Sequence, residues 1–276
     1  MQIAFTKMHG LGNDFLVFDA TVTPILLTQT QMRWLADRHF GVGCDQLLFV
    51  ENSDKPGVDF RYRIFNADGH EVQQCGNGAR CFARFVRDQG LTDKEALIVE
   101  TKSGLIYPRI QPDGEITVDM GPPRFTPTEI PFLATEIALQ YPISVGTDIY
   151  SVGVVSMGNP HAVLLVATVD NAPVVDLGAQ LTQHPCFPEG TNIGFLQIIN
   201  RAHVKLRVYE RGVGETLACG TGACAAMVIG QRWGYLDTAV TVELPGGRLH
   251  IAWAGSETSV LMTGAAVRVF DGVIDL

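Results

Sequence analysis

Apolar positions along this 276-residue chain fall mostly into strand-length runs punctuated by turn residues, with few stretches long enough for helices. Leu105 to Ile110, the turn Pro112-Asp113-Gly114 and Ile116 to Met120 read as a hairpin. Val240 to Leu244, Pro245-Gly246-Gly247 and Leu249 to Trp253 read as its counterpart. Ile149 to Val169 is uncharged and of membrane-spanning length, but Gly158-Asn159-Pro160-His161 interrupts it, so two buried strands joined by a polar turn are expected. Thr28 is a candidate N-cap for a helix running through Gln31 to Arg38. Ala223 to Ile229 is apolar on nearly every side and predicts a central, buried helix. The helical run Arg80 to Gln89 carries Arg80, Arg84 and Arg87 on one face and is expected to be less enclosed. Gly90 and Gly234 stand as C′ stops for these two helices.

The two helices follow copies of one phrase, Cys75-Gly76-Asn77-Gly78-Ala79 and Cys219-Gly220-Thr221-Gly222-Ala223, 144 residues apart. Other blocks keep the same order and nearly the same offset. Arg63 aligns with Arg207, Ile64-Phe65 with Val208-Tyr209, and Glu71 with Glu215. Gly12-Asn13 aligns with Gly158-Asn159, and Val99-Glu100 before Gly104 with Val242-Glu243 before Gly247. Ordered blocks at so long a period indicate two homologous domains rather than a solenoid, and the chain length suits two domains of about 100–150 residues. Gly121-Pro122-Pro123 with Pro127 reads as the crossing between domains and Gly264-Ala265-Ala266 as the return, with a last strand, Val267 to Phe270, rejoining the first domain. The expected boundaries are 1–119 plus 265–276 for the domain carrying Cys75, and 120–264 for the domain carrying Cys219.

With 46% hydrophobic and 18% charged residues the composition is globular. A net charge of −9 and no block of Lys or Arg argue against a nucleic-acid partner. The opening MQIAFTKMHG has no apolar signal core, which predicts a cytoplasmic protein with reduced thiols and no membrane association. The six cysteines include no Cys-x-x-Cys pair and no zinc-knuckle spacing, and Cys44, Cys81, Cys186 and Cys224 read as small core residues. Gly10-Leu11-Gly12 lacks the third glycine of a dinucleotide fingerprint, and no P-loop is present.

Cys75 and Cys219 each stand where a helix begins, and the unpaired amides and positive dipole end of a first turn stabilise a neighbouring anion. Both sulfurs are therefore expected to favour thiolate. Two such thiols, one per domain, could lie on either side of a carbon acid, one removing a proton and the other returning one to the opposite face. The amides of Gly76, Asn77, Gly220 and Thr221 could then hold a carboxylate attached to the reacting carbon. Taken singly, each of these residues has a plainer reading: a packed core cysteine, a turn histidine at His161, a solvated strand exit at Glu210-Arg211, and turn asparagines at Asn13, Asn66, Asn159 and Asn192. The duplicated context reverses that reading for the two cysteines.

The segments Met8-His9-Gly10-Leu11-Gly12-Asn13-Asp14-Phe15, Phe65-Asn66-Ala67-Asp68-Gly69, Gln74-Cys75-Gly76-Asn77-Gly78-Ala79-Arg80, Met157-Gly158-Asn159-Pro160-His161, Tyr209-Glu210-Arg211-Gly212 and Ala218-Cys219-Gly220-Thr221-Gly222-Ala223 together resemble the cofactor-independent diaminopimelate epimerases, over essentially the whole chain. The resemblance implies a mixed α/β fold of two pseudo-symmetric domains, each a twisted sheet or barrel around a central helix, with the active site in the cleft between them. It implies an isomerase that interconverts LL- and meso-diaminopimelate for lysine and peptidoglycan precursors, without PLP or metal. By matching positions, Cys75 and Cys219 would be the acid/base pair. His161, near Cys75, and Glu210, near Cys219, would assist proton movement. Asn13, Gln46, Asn66, Asn159, Asn192 and Arg211 would read the distal end of the substrate, while Gly76-Asn77 and Gly220-Thr221 hold the reacting carboxylate. Glu210 could also answer the substrate's ammonium, and Arg211 the distal carboxylate. A homodimer is also implied, with an aromatic near the C-terminus in the contact. Phe270 stands there in place of the Tyr of many relatives. Proline or hydroxyproline racemases, phenazine-biosynthesis-like isomerases and a dithiol redox protein are the alternative readings. Asn77 and Glu210-Arg211 count against the racemases, the presence of both cysteines against the isomerases, and the missing Cys-x-x-Cys against the last.

Overall fold

The computed structural model describes residues 2–72 and 75–276; Gln74 of the first motif lies outside them. The chain divides into two compact units, Met1–Asp119 with Thr263–Leu276, and Met120–Met262. The first contains β1 (Gln2–Gly10), β2 (Asn13–Asp19), α1 (Gln29–Ala36), β3 (Gln46–Glu51), β4 (Phe60–Asn66), β5 (Glu71–Val72), α2 (Gly76–Asp88), β6 (Val99–Thr101), β7 (Gly104–Ile106), β8 (Arg109–Ile110) and β9 (Ile116–Asp119). The second contains β10 (Tyr141–Val145), β11 (Asp148–Ser156), β12 (Pro160–Leu165), α3 (Val174–Thr182), β13 (Asn192–Asn200), β14 (His203–Glu210), β15 (Gly214–Thr216), α4 (Gly220–Arg232), β16 (Ala239–Leu244) and β17 (Gly247–Ala252). The chain then passes through β18 (Leu261–Gly264) to β19 (Val267–Asp275), which pairs antiparallel with β1.

Each unit repeats one topology. In the first, the strands run in the order β19-β1-β2-β3-β4-β6-β7, with β5 on β4. The second runs β10-β11-β12-β13-β14-β16-β17, with β15 on β14. The parallel pairs match as well: β2 with β3 and β4 with β6, against β12 with β13 and β14 with β16. The aligned ion pairs also recur. Arg63 donates to Glu71 at 3.0 and 3.2 Å, and Arg207 donates to Glu215 at 2.6 and 2.9 Å, each pinning the short strand that precedes a cysteine.

A helix covers each side of each sheet, which explains strands that are buried at nearly every position. On β2, Leu16 and Phe18 join the cluster of Met32, Leu35 and Ala36 from α1, whereas Phe15 lies against Gly78 of α2. On the same side as Phe15, Phe60 and Tyr62 of β4 meet the Phe82 ring edge-on. In the second unit Val174, Leu177 and Leu181 of α3 pack with Ala162, Leu164, Ile193 and Phe195, while α4, buried on almost all sides as expected, fills the opposite face. The uncharged run 149–169 is the antiparallel pair β11–β12 turning at Gly158. No helix among the described residues is long and apolar enough to cross a membrane.

Three expectations need correction, and one helix stands outside them. Leu105 to Ile110 is not one strand. Pro108 interrupts it, β7 pairs with β6, and only Arg109–Ile110 joins β9 across the turn at Gly114. The counterpart of β16–β17 is therefore β6–β7, as the Val99 and Val242 alignment implies. The Thr28 capping box with Gln31 is present, but the helix ends at Ala36, because the Asp37 side chain accepts from the amides of His39 and Phe40 and turns the chain away. Helix α2 is not loosely enclosed at Arg80, which is fully buried and donates to Asn77 Oδ1 at 3.0 Å. Helix α3 was not expected. Its apolar spacing is helical, but β-branched Val174-Val175 and Gly178 have low helix propensity, which weakens the signal. Gly178 is required there, since a Cβ would stand 2.6 Å from Tyr209.

Candidate active site

Cys75 and Cys219 are the N-caps of α2 and α4, both in extended conformation, with φ −141° and −116°. The second glycine of each phrase occupies the third helical position. A Cβ at Gly78 would stand 2.4 Å from Tyr62 Oη, and one at Gly222 would stand 3.2 Å from the Cys219 sulfur. Glycine there lets the first turn close against the strands behind it, as Gly222 N–H donates to Cys219 Sγ at 3.4 Å. Both helices end in the same motif. Gly90 and Gly234 take φ +67° and +80°, and the next residues, Leu91 and Tyr235, donate back to Val86 and Gly230.

In the first unit Cys75 is half-buried and donates to Asn13 Oδ1 at 3.6 Å. Asn77 Nδ2 donates to the same oxygen at 3.2 Å. Gln46 and Asn66 face each other across β3 and β4, joined by an amide hydrogen bond of 2.9 Å. The structure thus ties together Asn13, Cys75 and Asn77, and separately Gln46 and Asn66. Gly76 is the first residue of α2.

In the second unit Cys219 is buried and Thr221 Oγ1 lies 3.5 Å from its sulfur. Burial pushes the thiol well above its ordinary value and the Glu210 carboxylate adds to this, outweighing the lowering contacts from Thr221 and the Gly222 amide. The expected preference for thiolate fails here: loss of water outweighs one helix terminus. Glu210 accepts a hydrogen bond from Thr216 of β15, a partner with no signal in the sequence beyond its place beside Glu215. His161 pairs with Asn192 in the β12–β13 register. Its Nε2 lies 3.0 Å from Asn159 Oδ1, so that nitrogen carries the proton in this bond. Burial, with the Arg211 charge as a second cause, lowers the imidazole to about 3. Asn192 donates to Pro160 O and accepts from the Arg211 amide. The Arg211 guanidinium donates to Glu189 O. Gly220 opens α4. Phe270 of β19 is half-exposed and edge-on to Phe5 at 6.0 Å.

The repeated topology pairs these residues across the duplication. Phe15 and His161 begin the parallel registers, Gln46 and Asn192 are their partners, and Asn66 and Glu210 end the equivalent strands. One scaffold therefore offers a thiol, two amide side chains and a buried phenyl in one half. In the other it offers a thiol, an imidazole, an amide side chain and a carboxylate. Sequence reasoning missed the ion cluster behind Asn13. Asp14 accepts from Arg38 at 2.7 and 2.9 Å and from Lys7 at 2.6 Å, and Asp45 accepts from Arg38 and from Asn13 Nδ2 at 2.7 and 3.0 Å. Lys7 and Arg38 hold the Asp14 carboxyl well below the usual range against the effect of its burial.

A family model described as diaminopimelate epimerase matches residues 5–126 and 153–269. The chain is 59% identical over its whole length to the diaminopimelate epimerase of Thioalkalivibrio sulfidiphilus, and 58% to that of Azoarcus sp., each covered completely. Among solved structures, a PhzF-family phenazine biosynthesis protein of Bacillus anthracis superposes with a TM-score of 0.71 at 19% identity, with both chains fully covered. A hydroxyproline epimerase of Agrobacterium vitis, solved with bound trans-4-OH-L-proline, gives 0.69 at 15% identity, covering 99% of this chain and 92% of that one. At these identities the two structures are alike in fold.

Proposed function

Since the chain belongs to the diaminopimelate epimerase family, we propose that it interconverts LL- and meso-diaminopimelate by two-base proton transfer at the α-carbon, within lysine biosynthesis. The observation that carries the mechanism is the duplication: one cysteine per unit, each the N-cap of the equivalent helix. Inversion at a single carbon needs a base for one face and an acid for the other, and a matched pair of thiols supplies both. Cys219, resting as the thiol beside Glu210, is suited to deliver a proton that the carboxylate can restore. Cys75 supplies the thiol for the opposite face, the two cysteines exchanging acid and base roles with the direction of reaction, and His161, an imidazole that burial keeps neutral, assists proton movement.

The helix-start amides of Gly76-Asn77 and Gly220-Thr221 hold the carboxylate on which negative charge develops as the α-proton leaves. Asn13, Gln46, Asn66, Asn159, Asn192 and Arg211 select the distal amino-acid end. A substrate lacking that end leaves these polar groups unpaired, which penalises it strongly. The working form is a homodimer in contact through the strand that bears Phe270, and the enzyme acts in the cytoplasm on a small molecule.

NMR of α-deuterium uptake in D2O under reducing conditions tests this reading. LL- and meso-diaminopimelate should exchange with inversion, while L-proline and trans-4-hydroxy-L-proline should not. Exchange confined to the imino acids would discard the substrate, and silence throughout would discard the reaction.

A further inference from the structure

The two amides beside Cys75 form part of a hydrogen-bond chain whose direction is fixed at both ends. At one end the buried Arg80 guanidinium, which can only donate, contacts Asn77 Oδ1 at 3.0 Å. Asn77 must therefore turn its Nδ2 outward, and it donates to Asn13 Oδ1 at 3.2 Å. At the other end the Asp45 carboxylate, which can only accept, takes Asn13 Nδ2 at 3.0 Å and also holds the Asp14 amide. Arg38 bridges Asp45 to Asp14, and Lys7 anchors Asp14. Both terminal charges thus demand the same amide orientations. The atom left facing the Cys75 sulfur, 3.6 Å away, is the Asn13 oxygen.

An acceptor at that place stabilises S–H and disfavours thiolate, whereas the reversed amide would do the opposite. We propose that Asp45 and Arg80 are positioning residues which, through Asn13 and Asn77, lock an acceptor oxygen onto the Cys75 sulfur and so keep this thiol protonated in the resting enzyme before substrate binds. Tyr62, from β4, and Cys81, on α2 itself, are ionisable groups that also interact with Cys75. Burial suppresses the ionisation of both, so neither of these two places a negative charge beside the sulfur. The inference rests on the two-thiol reading and adds what governs the state of one thiol before turnover.

The test is the pH dependence of Cys75 alkylation by iodoacetamide in the full chain, followed by peptide mass mapping so that the other five cysteines do not interfere. Asp45→Asn removes the charge that holds the Asn13 Nδ2 away from the sulfur, leaving that amide oriented from the Asn77 end alone and freer to turn. Arg80→Met removes the donor that orients Asn77. Each should raise the alkylation rate at neutral pH about tenfold and lower its midpoint. Asp45→Glu, which keeps the acceptor, should restore the wild-type profile. Asp14→Asn removes the same charge but spares the bond from Asn13 to Asp45, and should leave the profile unchanged.

A wild-type profile for Asp45→Asn would overturn the proposal, as would equal acceleration by Asp14→Asn, which would assign the effect to charge alone. Should the Asp45 variant not fold, Asn13→Ala deletes the oxygen directly, and an unchanged midpoint there is equally fatal. Alkylation needs no turnover. The orientation proposal can therefore fail in a chain that epimerises diaminopimelate, and an inactive wild type would sink the functional reading without moving the midpoint.

Discussion

Cys219 lies below 5% exposed, with Glu210 beside it, and this combination separates its role from that of an ordinary activated thiol. Serine at either Cys75 or Cys219 would not ionise usefully near neutrality. Cys75→Ser and Cys219→Ser should each cost about 10³-fold or more in turnover, with circular dichroism unchanged; near-normal rates in either folded variant would end the two-base scheme. His161 makes a second residue-level prediction. The unfolded chain binds a proton at this residue near pH 6.5 and the folded chain only near 3, so in this window the unfolded state holds more protons. Stability contributed here is whole above pH 6.5, falls by at most about 1.4 kcal/mol per pH unit as the pH drops, and levels off near 3. Urea midpoints between pH 6.5 and 4.5 should show a steeper slope for the wild type than for His161→Gln; parallel slopes would mean that the ring is protonated while folded. The sequence could flag His161 and Arg80 as residue types in a pattern, but not their burial, which depends on which long-range elements cover them. It could not show Asp45 at all, since an aspartate beside Gln46 acquires meaning only when β2 lies parallel to β3 and brings Asn13 to it.

Among the elements, α2 and α4 were legible because their signals are local: a glycine turn, an N-cap, a glycine stop. The second glycine of each phrase gives this a measurable form. Alanine inside a helix ordinarily gains up to about 1 kcal/mol over glycine. At Gly78, however, its Cβ would stand 2.4 Å from Tyr62 Oη, with Ile64 and Phe15 within 3.3 Å. Overpacking of this kind costs about 1–3 kcal/mol, so Gly78→Ala should destabilise despite the propensity gain. Adding Tyr62→Phe, which removes the clashing oxygen, should recover part of the loss, and a double-mutant cycle in urea checks the coupling. Additive effects would show that α2 shifts away from β4 instead. What was not legible was the partnering of short strands. Gly104-Leu105-Ile106 could continue into Arg109-Ile110 by pattern alone. Only Pro108, and the antiparallel register of Val99 with Ile106, separates them into different hairpins. Helix α3 was hidden for the converse reason, that Gly178 is chosen for the Tyr209 ring it touches and not for helix propensity.

For the molecule as a whole, duplication was the strongest signal in the sequence, and it carries a physical consequence. A repeated topology places equivalent strand ends in both units, so divergence at a few positions, such as Phe15 against His161 or Asn66 against Glu210, puts chemically different side chains at equivalent places. The same scale holds the remaining test. Strand β19 is the terminal strand of its sheet, nine residues long, with Val267, Val269, Phe270 and Val273 each more than 40% exposed. A long edge strand bearing apolar side chains is a template for pairing. Here Gly272 leaves room for the Phe5 ring across the strand, whose edge-on packing against Phe270 stiffens the exposed face. If this edge carries the homodimer, Phe270→Asp and Val273→Asp should each convert the protein to monomer in sedimentation velocity. Both residues are exposed enough that the unfolding midpoint measured at one protein concentration should otherwise change little. A dimer that persists in both variants would place the contact elsewhere. A monomer that retains full epimerase activity would show that each chain completes its chemistry alone.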